Sequence, residues 1–420
     1  MILRILALSL TAVLLGAAGF AAHYEVVYRD QAHSLDEDVA ALRRLHWERP
    51  VLRGVAGDGN AAAELYAALP GFAPLSPELR SSLAERLHYG QPPGESEAHQ
   101  LELRKGTLKA LRAATQQGWA FTELAVERAD DMRIPDYPQI VDAGLCLLAD
   151  ARRAAPAECL RVAADVIRMG QDLVPGAPLA AASTSARLTS LASKLVTRCA
   201  ADADLATLRR AVHEFNVLAT HPPPTGAGIE LSDLVSSMKM RKALALTDKE
   251  SPGGVWATLL SRPQLLPVWA LFDRPARFRK LSPENYPDAT VEWRHEQDYR
   301  AKSDLPLSAA DERDVLDRLH DDMRGQALLR MLTVGLATLA DKAYRGKLPA
   351  RPTTIDEPAL ADPYRGAPFN YRIANDGSEL TLWSIGEDYK DDNGSSEWTE
   401  SAPVDVVLHI QLSKPQPRSL

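Results

Sequence analysis

Near the C-terminus the run Gly386-Glu-Asp388-Tyr-Lys-Asp391-Asp392-Asn393-Gly394 gathers four carboxylates and one amide, and Glu397, Glu400 and Asp405 follow. Like charges held this close repel one another unless water or a cation screens them. Calcium is the cation such a stretch suits, because it takes about six to eight oxygens and accepts them from flexible loops of Asp, Asn and backbone carbonyls. The spacing is not that of an EF-hand, which needs carboxylates at alternate positions and a closing Glu. A solvated acidic turn is the plainer alternative, and the residues by themselves leave both open.

Other combinations carry less chemistry. His295-Glu296 is followed by Gln-Asp-Tyr, so the zinc-binding H-E-x-x-H pattern is absent. His320-Asp321-Asp322 falls in a helical pattern, where adjacent positions face different ways and converge poorly on one metal. The chain has no G-x-S-x-G elbow and no P-loop. An extracytoplasmic hydrolase with a site assembled from distant residues is the rival functional reading, and it singles out no catalytic residue.

The three cysteines, Cys146, Cys159 and Cys199, fit neither a C-x-x-C pair nor a zinc knuckle. All lie in apolar, helix-like runs, which reads as small buried hydrophobes. The alternative is one disulfide between Cys146 and Cys159 across a helix-helix turn, as an oxidising compartment permits. A formal net charge of -8, with the basic residues scattered along helices, argues against nucleic acid as a partner.

The elements that would position these groups begin with an uncharged run from Ile5 to Ala22, preceded by Arg4. At 1.5 Å per residue it spans about 27 Å, close to the hydrocarbon thickness of a bilayer. From His23 to Leu42 only Arg29 is Lys or Arg, so the positive-inside bias puts the N-terminus in the cytoplasm and the rest across the membrane. The run exceeds the usual signal-peptide core, and apolar character resumes at Tyr24, Val26, Val27 and Tyr28. A retained single-pass inner-membrane anchor is therefore preferred. The alternative is a cleaved and secreted chain, with Gly19-Phe20-Ala21 at the cleavage site.

From Leu35 to about Leu246 apolar residues recur at three and four, as in Leu35, Val39, Leu42 and Leu45, or Leu205, Leu208, Val212, Phe215 and Leu218. Breaks containing Pro or Gly fall at Gly90 to Gly94, Pro135 to Pro138, Ala155-Pro156, Val174 to Pro178 and His221 to Gly228. The pattern predicts helical hairpins stacked as an irregular bundle or solenoid without a recognisable repeat. Residues 251–306 interleave prolines with Trp256, Trp269, Phe272, Phe278, Tyr286 and Trp293, which reads as a connector plugging a core or a domain junction; the alternative is an exposed surface for a partner or the lipid interface, where Trp is favoured.

A long helix is predicted from Ser308 to about Tyr344, with Leu316, Leu319, Met323, Ala327, Met331 and Val334 on one face. Asp311 stands in capping-box spacing to Ser308, and Gly346 and Pro349 stop the helix. Strands follow at Phe369 to Ile373, at Leu380 to Ile385 after the turn signal Asn375-Asp-Gly377, and at Val404 to Leu412.

The segments Asp362-Pro-Tyr-Arg-Gly-Ala-Pro-Phe-Asn-Tyr371, Leu382-Trp-Ser-Ile-Gly386, Asp388 to Gly394 and Val404-Asp-Val-Val407 resemble the C-terminal end of the major pseudopilins of type II secretion. That family shows Asp-Pro-x-Gly, a strand ending in Tyr, a strand end of the Tyr/Phe-Ser-Leu/Val-Gly type, an Asp/Gly-rich loop and a closing strand. The resemblance covers about residues 308–412 and implies a helix packed on a small antiparallel sheet with a calcium-binding loop. Carried onto this sequence, it implies Asp388, Asp391 and Asp392 as side-chain ligands, the carbonyl of Ile385 as a backbone ligand, and Asp405 as a further one. It stops there. Gly19-Phe20 stands after the apolar run rather than before it, so pilin-type processing does not carry over.

The expected chain is thus mainly α, with an N-terminal transmembrane helix and a C-terminal α+β module. Its expected parts are 1–30 (anchor or signal), 31–250 (helical domain), 251–306 (connector), 307–413 (α+β module) and 414–420 (disordered tail). The expected role is a membrane-anchored, periplasm-facing scaffold or protein-interaction protein, with calcium in the C-terminal module. The membrane, through residues 5–22, and unidentified proteins are its expected partners.

Overall fold

The computed structural model describes residues 47–48, 52–53, 57–120, 136–175, 177, 180–223, 309–349, 361–374, 377–387, 389–395 and 405–412. These residues are mainly helical, with a small antiparallel sheet at the C-terminal end. The apolar run 5–22, the repeat beginning at Leu35, the connector 251–306 and the tail 414–420 lie outside the described residues. Among the described residues, no helix is long and apolar enough to cross a membrane.

The helical body begins with α1 (Ala61–Ala68), α2 (Pro77–Tyr89) and α3 (Glu95–Ala114). It continues with α4 (Tyr137–Ala151), α5 (Pro156–Asp172), α6 (Ala180–Cys199) and α7 (Leu205–Thr220). Their starts are chemically marked. Asn60, Ser76, Asp136 and Asp204 each accept hydrogen bonds from backbone amides of the first turn, satisfying donors that a helix start leaves open. Proline sits at the starts of α2, α4 and α5, where its missing N–H costs nothing. Gly90 closes α2 at φ 70°, a left-handed cap that suits glycine. The break expected at Gly90 to Gly94 falls between α2 and α3, and the one at Ala155-Pro156 between α4 and α5; α4 begins at Tyr137, within the break expected at Pro135 to Pro138, and α7 ends at Thr220, just before the one expected from His221.

One feature of this body runs against the sequence pattern. Strands β1 (Trp47–Glu48), β2 (Gly57–Asn60) and β3 (Gln117–Ala120) form a three-stranded sheet in the order β1-β3-β2, with β2 parallel to β3. Strands this short, one of them Gly-Asp-Gly-Asn, carry no alternation of apolar and polar residues to read.

A buried ionic bracket ties the body together. Asp165 of α5, with 2% of its side chain exposed, receives Arg112 of α3 at 2.6 Å and Arg53 at 2.9 Å. Arg53 also reaches Glu214 of α7 at 2.7 Å, and Arg112 reaches Glu158 at 2.6 Å. Two guanidinium groups shared among three carboxylates offset the cost of removing those charges from water.

Helix α8 (Ala309–Arg345) follows. At 1.5 Å per residue its 37 residues span about 55 Å. Gly346 ends it at φ 71°, donating its amide to the Lys342 carbonyl at 2.8 Å. The predicted face is buried from Leu319 through Val334. Burial in fact goes all round the helix from Gly325 to Ala340, because α8 lies between two layers. On one side are α6 and α7; on the other are β5 and β6. Close approach explains two glycines. A Cβ on Gly325 would lie 2.9 Å from the Ala186 backbone of α6, and one on Gly335 would lie 1.8 Å from the Ile410 side chain of β6. Two of the polar residues caught inside, Thr333 and Thr338, donate to carbonyls four residues back, and Arg330 donates to the Ala361 carbonyl at 2.8 Å.

The C-terminal sheet contains β4 (Asn370–Ile373), β5 (Glu379–Ser384) and β6 (Val406–Gln411), antiparallel in the order β4-β5-β6. All three match strands read from the sequence. Leu382 lies between Tyr371 and Leu408 in register. Val406, Leu408 and Ile410 point inward by the period of two. The β4-β5 turn closes through Gly377 at φ 66°, whose amide donates to Ala374 at 2.8 Å.

Candidate metal centre

The acidic loop leaves β5 at Ser384 and returns to β6 at Asp405, and its entry is fixed by a carboxylate from outside it. Asp362 is fully buried. It accepts the Ser384 hydroxyl at 2.6 Å, the Tyr364 amide at 3.0 Å and the Ile385 amide at 3.3 Å. Its own amide donates to Ala367 at 2.8 Å, so the Asp-Pro turn is closed on itself. Burial pushes the Asp362 carboxyl above the usual range, against the pull of these donors.

The loop itself is pinned through Asp391. Trp383 Nε1 of β5 and the Asn393 amide both donate to its Oδ1 at 2.9 Å. Asn370 Nδ2 of β4 donates to its Oδ2 at 2.9 Å. The Trp383 bond, with the Asn393 amide and the Asn370 side chain adding to it, holds this carboxylate below its usual range. Tyr389 and Asn393 both take positive φ, 57° and 59°, which folds the loop back over the Trp383 ring. Gly394 lies on that ring, where a Cβ would come within 3.1 Å.

Asp405 faces the same loop from the base of β6. It is buried, and its Oδ2 accepts the Gly394 amide at 2.8 Å. Its Oδ1 is buried as well and has no hydrogen-bond partner among the described residues. Burial pushes its carboxyl above the usual range; the backbone amides of Gly394 and Asp392 draw it back, and the nearby Asp391 and Asp392 carboxylates add to the rise. A buried carboxylate oxygen left without a donor, beside two further carboxylates, is the arrangement a hard cation relieves.

The structure therefore brings together Asp391, Asp392 and Asp405, and places Ile385 next to the Asp362 knot. Asp388 lies outside the described residues. Among the described residues, no three His, Cys, Asp or Glu side chains are arranged to hold a metal ion. Asp391 already serves as the pin of the loop. Asp405, with its orphaned oxygen, is the residue whose chemistry fits a cation.

No family model, curated protein or solved structure matches this chain.

Two supports of the loop were not legible in the sequence. His320 Nδ1 of α8 lies 3.2 Å from Glu387, at the start of the loop. Tyr364, buried beside them, donates its hydroxyl to the His320 carbonyl at 3.2 Å. In sequence the triplet His320-Asp321-Asp322 reads only as a poor metal pattern, and Glu387, the partner of His320, stands far along the chain. In sequence, Glu387 was one acidic residue among several, with nothing to mark it as the one facing a helix.

Elsewhere, a groove of about 770 Å³ runs between the starts of α2 and α3, lined by Ser76, Glu78, Ser82, Arg86, Glu97 and Arg104. Its cations are engaged. Arg86 pairs with Glu97 at 2.6 Å, and Arg104 donates to the carbonyls of Ala73 and Gln100. Cys146, Cys159 and Cys199 are all buried free thiols, in keeping with the reading of small buried hydrophobes.

Proposed function

We propose that this chain is a membrane-anchored extracytoplasmic scaffold or protein-interaction protein of a bacterial-type envelope, with a C-terminal module stabilised by calcium. The observation that carries the reading is the buried, unpartnered Oδ1 of Asp405 beside Asp391 and Asp392. Calcium at this position would give that oxygen a partner and screen three neighbouring carboxylates. Asp405, Asp392 and Asp391 supply side-chain oxygens, with Asp388 and the Ile385 carbonyl completing the set that the pseudopilin resemblance implies.

How α8 is used supports the scaffold reading. The helix that carries the module also packs against α6 and α7 of the helical body, so module and body share one element. The uncharged run 5–22 supports tethering at the membrane. The resemblance stops short of the pilus. The reading takes from it a module and not a secretion role.

The function is tested by capturing the tethered full-length chain from its native membrane, once with calcium and once with EDTA. A defined set of envelope proteins retained only with calcium supports the scaffold. Turnover of a chromogenic ester or peptide by the purified chain, with no retained partner, would replace it with the hydrolase.

A further inference from the structure

At one end of the helical body arginines gather around the loop Gly90-Gln-Pro-Pro-Gly94 between α2 and α3. Arg152, which caps α4, donates Nε to the Gly90 carbonyl at 2.8 Å. Arg153 donates to the carbonyls of Pro93 and Gly94. Arg198, in the last turn of α6, lies against Gly90, where an added Cβ would come 3.3 Å from its Cδ. By contrast, Arg53, Arg80, Arg86, Arg112 and Arg161 each meet a carboxylate. Arg152, Arg153 and Arg198 meet none among the described residues. A carbonyl takes up an N–H but leaves the guanidinium charge whole. The acidic neighbour on α4, Asp150, acts on Lys105 of α3. Arg153 and Arg198 are exposed, as is Tyr89 beside Gly90.

We propose that this arginine patch receives the acidic loop of a second copy of the chain, so that copies join head to tail. The chain carries both halves of the contact. The loop from Gly386 to Gly394 holds four carboxylates against the single cation of Lys390, and Asp391 and Asp392 are exposed on it. Guanidinium forks pair carboxylates in bidentate geometry, and a basic patch facing an acidic one orients the approach of two proteins.

The two halves cannot meet within one molecule. The loop sits beside the early part of α8, where Glu387 meets His320. The patch sits toward the other end of that helix. There α6 ends at Cys199, and α7 begins just beyond it and sets Arg209 over the Tyr344 ring at 5.3 Å. The 24 residues from His320 to Tyr344 span about 36 Å, far beyond the reach of an ion pair. Two different surfaces in contact make a heterologous interface, which extends into open chains or closes into a ring. A contact built on so few charges is weak, reversible and screened by salt. This inference needs no calcium and is independent of the scaffold reading.

The experiment is sedimentation velocity on the full-length chain in density-matched detergent with EDTA, over a range of concentrations at low and at high salt. The parent should move to faster-sedimenting species as concentration rises and return to monomer in high salt. Arg198→Glu and Asp392→Lys, both at exposed positions, should each weaken association roughly tenfold or more. Asp392 is changed because Asp391 is held by Trp383. Mixed together, the two variants should associate again, since the first keeps its loop and the second its patch. A parent that stays monomeric, association that high salt leaves unchanged, variants that associate as the parent does, or a mixture that stays dissociated would each overturn the proposal. The first two are read on the parent, so the test does not hang on the folding of a variant. Arg198-dependent binding to phosphatidylglycerol vesicles by a chain that stays monomeric would assign the patch to lipid instead.

Discussion

Trp383 Nε1 donates to Asp391 Oδ1 at 2.9 Å, so strand β5 holds the acidic loop that it emits. The same Asp391 takes Asn370 from β4, and the loop is thereby stitched to the sheet before any ion is considered. Trp383→Phe keeps the ring beneath Gly394 and removes only the donor. It should cost about 1 kcal/mol, the net worth of one partly exposed charge-assisted hydrogen bond. Chemical denaturation of both proteins measures this, and an unchanged midpoint would show the bond to be idle.

Asp405→Asn separates the two roles of the buried carboxylate. The amide oxygen can still accept the Gly394 amide, while the charge that burial disfavours is gone. Without calcium the variant should be as stable as the parent or more so. With calcium its melting temperature should not move, whereas the parent's should rise. A parent-like calcium response in the variant would exclude Asp405 as a ligand.

The pH dependence of the two buried carboxyls has a definite sign. Asp362 and Asp405 both sit above their unfolded values. Their contribution is therefore fully present below the unfolded value of about 4 and is lost as pH rises through the folded value. Asp391, held low, contributes in the opposite sense, and its stabilisation fades as pH falls through its folded value. Ser384→Ala removes the 2.6 Å donor to Asp362. The loss should be about 1–3 kcal/mol and should grow as pH rises and Asp362 ionises. Melts from pH 4 to 8 check this, and a deficit that shrinks with pH would contradict it.

Much of this arrangement was readable beforehand. The three C-terminal strands follow from period-two patterning and the Gly377 turn, and the helix breaks follow from proline and glycine. The face of α8 was read correctly, but its burial on all sides was not. Gln326, Arg330 and Thr333 look like a solvent face in sequence, and only the two flanking layers bury them. The β1-β3-β2 sheet escaped because strands this short carry no pattern. Among the site residues, the sequence offers Asp391 and Asp405 as ligands; that Trp383 donates to Asp391 is a tertiary contact it does not show. The contact of His320 with Glu387 is tertiary. No spacing rule reaches across the 67 positions that separate them.

The glycines of α8 give a comparison that needs no ligand. At Gly325 an added Cβ meets the Ala186 backbone, which cannot move without shifting α6. At Gly335 it meets the end of the Ile410 side chain, which can turn aside. Gly325→Ala should therefore destabilise by about 1–3 kcal/mol, and Gly335→Ala by less. Denaturation midpoints in the reverse order would mean that α8 does not seat on α6 as described.

The central claim, a calcium-stabilised module built into a helical body, is met most directly by calorimetric titration of calcium into the full-length chain in detergent, followed by melts with calcium and with EDTA. The account predicts saturable binding and a melting temperature that rises with calcium and falls back with EDTA. Absence of binding heat, together with melts that coincide in calcium and EDTA, would contradict it.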